Sequence, residues 1–225
     1  EIVRGLNLTR KMEVRLTILA CFAIGLGAAL TPVGEPLSTI AIAKLKGEPY
    51  HADFFFLARL LGVYIGTGII GLAAIAVLLL RGKKREESKR TPEKPDSILH
   101  VLVRSGKVYL FVMALIFLGA GFKPLIDLWV VHWPSYVIYW VNIVSAALDN
   151  ATLAAAEISP NMTEFQIRSA LVALLISGGI LIPGNIPNII AAAKLKIGSR
   201  EWARFGLPLG LAMMVVYFAI LSLLG

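Results

Sequence analysis

The sequence predicts an all-α integral membrane protein built from two inverted repeats, with broken helices and a re-entrant hairpin. Composition is the first reason. The chain of 225 residues is 57% hydrophobic and only 16% charged, with a mean hydropathy of +0.77. A soluble domain of this size cannot bury so much apolar surface, so lipid should cover part of it. The second reason is a motif of Gly, Pro and polar residues that interrupts apolar runs and occurs twice.

The duplicated motif spans residues 34–46 and 184–196, and seven of its thirteen positions are identical. In each copy an apolar run precedes the Gly/Pro-containing stretch, and an Ala-rich and Ile-rich run follows it. Proline and glycine in this setting should unwind a helix. Gly/Pro-interrupted segments in corresponding positions of two halves are typical of the binding site of a membrane transporter.

The first half, residues 1–80, is predicted to contain a broken helix at 14–45 and a helix at 54–80. Residues 81–100 form a polar, basic linker that should lie in the cytoplasm, following the bias of Lys and Arg towards that side. The net charge of +8 lies mostly in this linker and beside apolar runs. That distribution argues against a nucleic-acid-binding face, which would need clustered charge on a soluble surface.

The second half, residues 101–225, is predicted to contain a helix at 106–122, a re-entrant hairpin at 135–160, a broken helix at 165–197 and a helix at 205–224. Basic residues after the second motif place that end in the cytoplasm, so the two motifs should cross the membrane in opposite directions. The first half has no counterpart of the hairpin, and the chain does not begin with Met. We therefore expect a chain truncated at its N-terminus.

Polar side chains at the two breaks and at the hairpin tip are the candidates for ion or substrate binding. A carboxylate near the bilayer centre costs about 3 kcal/mol, so Glu35 and Asp149 should have a function there. Carboxylates among amides and hydroxyls suit a hard cation such as sodium, or a proton. The candidate residues are Gly34, Glu35, Ser38, Thr39, Asp149, Asn150, Thr152, Gly184, Asn185 and Asn188.

Structural roles are open for several of these residues. Glu35 could be a carboxylate in a surface loop, and Asp149 could cap the half-helix that follows it. Asn185 and Asn188 could satisfy backbone groups that the break leaves without partners. The histidines show no metal-ligand spacing, and no cofactor is expected apart from sodium or a proton as coupling ion.

The segment Thr31–Thr39, with Leu148–Thr152 and the glycines before Pro183, resembles the ion transporter superfamily. That superfamily includes D-type sodium/proton antiporters, arsenite exporters and citrate carriers. The closest likeness is to a prokaryotic membrane-protein branch defined as a domain of unknown function. The resemblance implies inverted repeats, a homodimer and alternating access. Glu35 stands where the antiporter pattern has Asp, and the second break lacks the Ser-Ala-Ala sequence of those antiporters.

The function expected from these residues is secondary active transport, not enzyme catalysis, in the inner (plasma) membrane of a prokaryote. The leading hypothesis is a sodium/proton antiporter whose partners are the lipid bilayer and a small inorganic ion. The alternative is a sodium-coupled carrier of a small organic or oxo-anion, such as a dicarboxylate, citrate or arsenite. A third possibility is a membrane subunit that retains the motifs without transporting anything.

Overall fold

The computed structural model describes residues 8–81 and 98–224, and these residues form helices and turns with no strand among them. The predicted all-α class is confirmed for these residues. The predicted linker falls mainly on residues 82–97, which lie outside the described ranges, as do 1–7 and 225. The described α-helices, in chain order, are α1 (Arg10–Ala28), α2 (Pro36–Leu45), α3 (Phe56–Leu80), α4 (Ile98–Leu128), α5 (Ser135–Val141), α6 (Asn150–Glu157), α7 (Glu164–Ile180), α8 (Ile186–Leu195) and α9 (Ser199–Leu224).

The two copies of the motif each lie where a long helix breaks and a short one begins. Residues 29–35 separate α1 from α2, and residues 181–185 separate α7 from α8. The predicted broken helices 14–45 and 165–197 fall on these two pairs. The short helices α2 and α8 have 10 residues each. At about 1.5 Å per residue, each is roughly half as long as the hydrocarbon core of a bilayer is thick.

The two broken helices run in opposite directions. At one end of the molecule, Arg10 at the start of α1 donates hydrogen bonds of 2.9 Å to the carbonyls of Leu195 and Lys196 at the end of α8. At the other end, Lys44 near the end of α2 donates a 2.9 Å hydrogen bond to the carbonyl of Ile158, just before α7. The start of each broken helix therefore lies beside the end of the other.

Helix α7 lies at the centre of the packing. Its residues are buried from Ser169 to Ile180, and it contacts α1, α3, α5, α6 and α9. The helix begins with a capping box, in which Thr163 and Gln166 satisfy each other's backbone amides. This arrangement removes two of the unpaired donors at the helix start. A fixed α7 holds the second break against its neighbours.

The segment 135–160 folds back on itself as a hairpin of two short arms. The first arm is α5 continued by the 3-10 helix Asn142–Ala146, and the second arm is α6. Asn142 Nδ2 donates a 2.6 Å hydrogen bond to Glu157 Oε1 and so joins the two arms away from the tip. Ser145 and Ser177 share a 2.5 Å hydrogen bond between their hydroxyls, which ties the first arm to α7.

Helices α3 and α9 are long and apolar enough to cross a membrane. Only 17% and 28% of their most apolar windows are buried inside the molecule. Val63 and Ile70 on α3 are 74% and 71% exposed. A core helix of a soluble protein would be mostly buried, whereas these two helices present large apolar side chains on the outside.

Two helices are longer than the sequence indicated. The helix predicted at 106–122 is part of α4, which begins at Ile98 and continues through Pro124 to Leu128. Proline removes only its own N–H from the hydrogen-bond ladder, so the helix continues on both sides of it. The helix predicted at 205–224 begins at Ser199, because its first turn is polar and was not part of the apolar run.

Candidate functional site

Three short helices begin at the same place in the molecule. Glu35, Asp149 and Asn185 are the N-cap residues of α2, α6 and α8. The Asn185 side chain and the Asp149 carboxylate both lie close enough to Glu35 to act on its charge. The first break, the hairpin tip and the second break therefore meet. Three helix starts bring three positive dipole ends to one point.

Glu35 and Asn185 have nearly the same backbone conformation at equivalent positions of the two motifs. Their φ and ψ angles are −154° and 161° for Glu35, and −155° and 148° for Asn185. Neither side chain folds back to cap its own helix. A proline in the first two positions of each helix already removes one donor that a cap would satisfy. Both side chains are thus free to point away from their helices.

The Glu35 carboxylate is buried, and the amide of Asn185 is the polar side chain placed to donate to it. Glu35 is 8% exposed, and among the described residues neither Oε1 nor Oε2 has a hydrogen bond of good geometry, although the Asn185 amide is close enough to stabilise the charged form. The reading of Glu35 as a surface-loop carboxylate therefore does not fit the structure. The described charged group acting on Glu35 is the carboxylate of Asp149, and not a cation. A charge buried in this way requires a proton or a bound cation to balance it.

Two further oxygen atoms at the breaks are buried without a partner. Ser38 is fully buried, and its Oγ has no hydrogen-bond partner among the described residues. Asn188 is 1% exposed and donates hydrogen bonds from Nδ2 to the carbonyls of Gly178 and Leu181, at 2.8 and 2.9 Å. Only an amide nitrogen can donate to two carbonyls, so Oδ1 must be the other atom, and it is unpartnered. The amide of Asn188 thus stabilises the break, while its oxygen remains available.

Asn150 at the hairpin tip packs directly against the second break. It is 2% exposed, and its Nδ2 has no partner among the described residues. A Cβ on Gly178 would lie 3.2 Å from this Nδ2, and a Cβ on Gly184 would lie 2.7 Å from the carbonyl oxygen of Ser145. Glycine is needed at residue 184 because any side chain would push the hairpin away.

Asp149 and Thr152 form a helix cap at the tip. Asp149 Oδ2 accepts hydrogen bonds from the Thr152 backbone N–H at 3.0 Å and from its hydroxyl at 3.2 Å. This is the capping role that the sequence left open for Asp149. The cap and the charge are separate properties, because the same carboxylate also acts on Glu35. Asp149 is half-buried, in contrast to Glu35.

Thr39 and Gly34 shape the first break. The Thr39 hydroxyl donates to the carbonyl of Pro32 and lies 3.3 Å from that of Glu35, so it is engaged with the backbone of the break. Gly34 is exposed, and a Cβ there would overlap the carbonyl oxygen of Ala28 at 1.8 Å. These two candidate residues hold the backbone in place; they do not join the buried group around Glu35.

Some residues of the site were not among the candidates. A Cβ on Gly25 of α1 would lie 3.0 Å from Asn185 Nδ2, so this glycine lets the Asn185 amide approach α1. Lys44 and Asn142 flank Glu157 at the far end of α6. Both motifs carry a lysine at the same position, Lys44 in the first and Lys194 in the second. This repetition does not indicate that Lys44 reaches the hairpin.

The arrangement defines an all-α protein with two candidate membrane spans and a buried carboxylate at the meeting point of three helix starts. The chain belongs to the family described as "Protein of unknown function (DUF1646)", whose model matches residues 1–224. No curated protein and no solved structure matches the chain.

Proposed function

We propose that the protein is a secondary active transporter of a small cation, and that it exchanges sodium for protons. The observation that supports this proposal most directly is the buried Glu35 carboxylate, which has the Asn185 amide beside it, no hydrogen bond of good geometry and no cation acting on it in the described part of the chain. Ser38 Oγ and Asn188 Oδ1 are the other unpartnered oxygens at the two breaks. Carboxylate, hydroxyl and amide oxygens are the ligands that hard cations prefer.

Competition for one carboxylate couples the two ions. A protonated Glu35 is neutral and loses its attraction for sodium, and a bound sodium excludes the proton. Asp149 adds a second negative charge nearby. Because only one ion can occupy the carboxylate at a time, movement of sodium in one direction drives protons in the other if the site opens to each side in turn.

The surface of the molecule supports a place in the membrane. Helices α3 and α9 are long and apolar enough to span a bilayer and expose much of that apolar surface. A patch of this kind in water would favour aggregation, whereas lipid covers it at no such cost. A buried ionisable residue in such a protein indicates an ion pathway.

The two antiparallel broken helices support an inverted-repeat mechanism. The two breaks lie next to each other. The start of the first broken helix lies beside the end of the second at one end of the molecule, and the end of the first lies close to the start of the second at the other. In inverted-repeat transporters, one site at the repeat interface opens to either side through similar movements of the halves. The resemblance to the ion transporter superfamily agrees with this proposal.

Sodium binding to the purified protein tests the proposal. We expect sodium to raise the thermal unfolding midpoint of the wild type in detergent, and this rise to shrink as pH falls because protons compete for Glu35. Glu35→Gln should lose the sodium effect and remain folded, because glutamine keeps the size of the side chain without its charge. The control is Glu48→Gln on the exposed loop after α2. A sodium response of wild-type size in Glu35→Gln would refute the assignment.

A sodium-coupled carrier of a small anion is the second candidate, and two observations favour it. Asn150 Nδ2 is a buried donor without a partner among the described residues, and donors bind anions, not cations. The starts of α2, α6 and α8 also direct positive dipole ends at the site. In this case a dicarboxylate or oxo-anion would raise the unfolding midpoint of the wild type only when sodium is present.

A further inference from the structure

The end of the molecule where α1 and α9 begin carries a basic pocket. The pocket has a volume of about 530 Å³ between the two helices. It is lined by five cationic side chains and one carboxylate, which are Arg10, Lys11, Arg15, Arg200, Arg204 and Glu201. The pocket is separate from the site around Glu35, because its residues lie at the start of α1 and not at its break.

The single carboxylate of the pocket is fully engaged by Arg10. Arg10 Nε and Nη2 each donate a 2.8 Å hydrogen bond to one oxygen of Glu201, which is a bidentate pair. The remaining guanidinium donors bind Glu13 and the carbonyls of Leu195 and Lys196. Arg10 and Glu201 therefore join α1, α8 and α9 and leave no free charge of their own.

The other four cations of the pocket form no ion pair within the described residues. Lys11, Arg200 and Arg204 are exposed, and Arg15 is half-buried with its guanidinium 5.5 Å from the centre of the Phe205 ring. Cations gathered around one cavity repel one another, and an anion in the cavity relieves that repulsion. Arginine in particular binds phosphate through paired N–H groups.

We propose that this pocket binds the phosphate group of an anionic phospholipid. This inference rests on the membrane placement proposed above, and it adds a ligand that is distinct from the transported ion. Phe205 and Val14 line the same pocket and give the lipid glycerol and chains an apolar surface beside the charged one. Basic pockets between transmembrane helices at the cytoplasmic surface bind anionic lipid headgroups.

Lipid titration of the purified full chain tests the site. We expect phosphatidylglycerol in neutral detergent to bind the wild type, seen as lipid adducts in native mass spectrometry and as a rise in the unfolding midpoint. Phosphatidylcholine should give neither. Arg200→Gln combined with Arg204→Gln should weaken phosphatidylglycerol binding by on the order of tenfold. The matched control, Lys46→Gln with Arg59→Gln, removes two exposed cations at the opposite end of the molecule and should bind like the wild type.

Further measurements distinguish a lipid phosphate from a soluble one and allow for a variant that does not fold. Inorganic phosphate that produces the same pocket-dependent shift would support a phosphate site but assign it to a soluble compound. Equal loss of lipid binding in the control at Lys46 and Arg59 and in the pocket variant would overturn the proposal. Lys11→Gln on α1 provides a second pocket variant if the double variant does not fold. Glu35→Gln should bind lipid normally, so this proposal and the transport proposal can fail independently.

Discussion

At the scale of single residues, the two halves of the chain place different side chains in the same backbone position. Glu35 and Asn185 are both N-cap residues with extended backbones, and each leaves its own helix uncapped. One position carries a carboxylate and the other an amide, so this pair supplies one negative charge, and the half-buried Asp149 supplies the second at the hairpin tip. Of these two charges, the one on the more deeply buried Glu35 most needs a cation or a proton to balance it.

Asp149 combines a structural and an electrostatic role that substitution can separate. Asparagine caps a helix about as well as aspartate, so Asp149→Asn should unfold at the wild-type temperature. Asp149→Ala should lose about 1 kcal/mol of stability, because the Thr152 amide loses its acceptor. Both variants should reduce sodium-driven proton flux, since both remove the charge beside Glu35. Stability is measured by thermal unfolding, and flux in proteoliposomes. Wild-type flux in Asp149→Asn would leave Asp149 with the capping role alone.

At the scale of elements, close packing at the second break depends on glycine. A Cβ on Gly184 would lie 2.6 and 2.7 Å from backbone oxygens of Gly178 and Ser145, which cannot move without displacing α7 or the hairpin. Gly184→Ala should therefore destabilise the fold by about 1–3 kcal/mol, measured by thermal unfolding in detergent. Gly71→Ala on α3 is the control, because its Cβ would meet nothing within 4 Å. A Gly184→Ala midpoint equal to that of the control would contradict this packing.

The breaks could be predicted from the sequence because their cause is local. Proline and glycine interrupt a helix wherever it packs, so the duplicated motif located both the breaks and the short helices after them. The pairing of Asn142 with Glu157 and of Ser145 with Ser177 could not be predicted in this way. Those contacts join residues 15 and 32 positions apart, and they depend on how the hairpin folds back onto α7.

The candidate residues fall into two groups, those with available oxygens and those whose side chains bind the backbone. Glu35, Ser38 and Asn188 have buried oxygens without a hydrogen bond of good geometry among the described residues. Thr39 has a similar side chain and a neighbouring position, but its hydroxyl is engaged by the Pro32 carbonyl. Residue type and spacing do not indicate which hydroxyl a backbone carbonyl will engage, since that depends on the path of the chain through the break.

At the scale of the whole molecule, the charges at the two ends indicate its orientation. The end with Arg10 and Arg200 carries the basic pocket and should face the cytoplasm. In this proposed orientation Lys44, at the opposite end, would be a cation on the unfavoured side of the membrane. Its hydrogen bond to the Ile158 carbonyl gives the amine a structural role there, because it joins α2 to the end of the hairpin.

Labelling from the two sides of the membrane tests this orientation. Gly47 and Gly198 are both exposed, and a side chain on either would meet nothing within 4 Å. We expect an impermeant maleimide to label Gly47→Cys in intact cells, and Gly198→Cys only after the membrane is made permeable. The native Cys21 is buried and should not react with the maleimide. Labelling of both positions from the same side would contradict antiparallel broken helices in a membrane.

The most direct test of the central claim is ion exchange by the protein in proteoliposomes that contain a trapped pH dye. The vesicles are loaded at acidic pH, and sodium is then added outside. We predict that sodium drives proton efflux with the wild type and with Glu48→Gln, and that Glu35→Gln abolishes it. Potassium and citrate, added in turn, serve as comparisons. Sodium-driven efflux that persists in Glu35→Gln, or its absence in the wild type, would contradict a cation/proton exchange centred on Glu35.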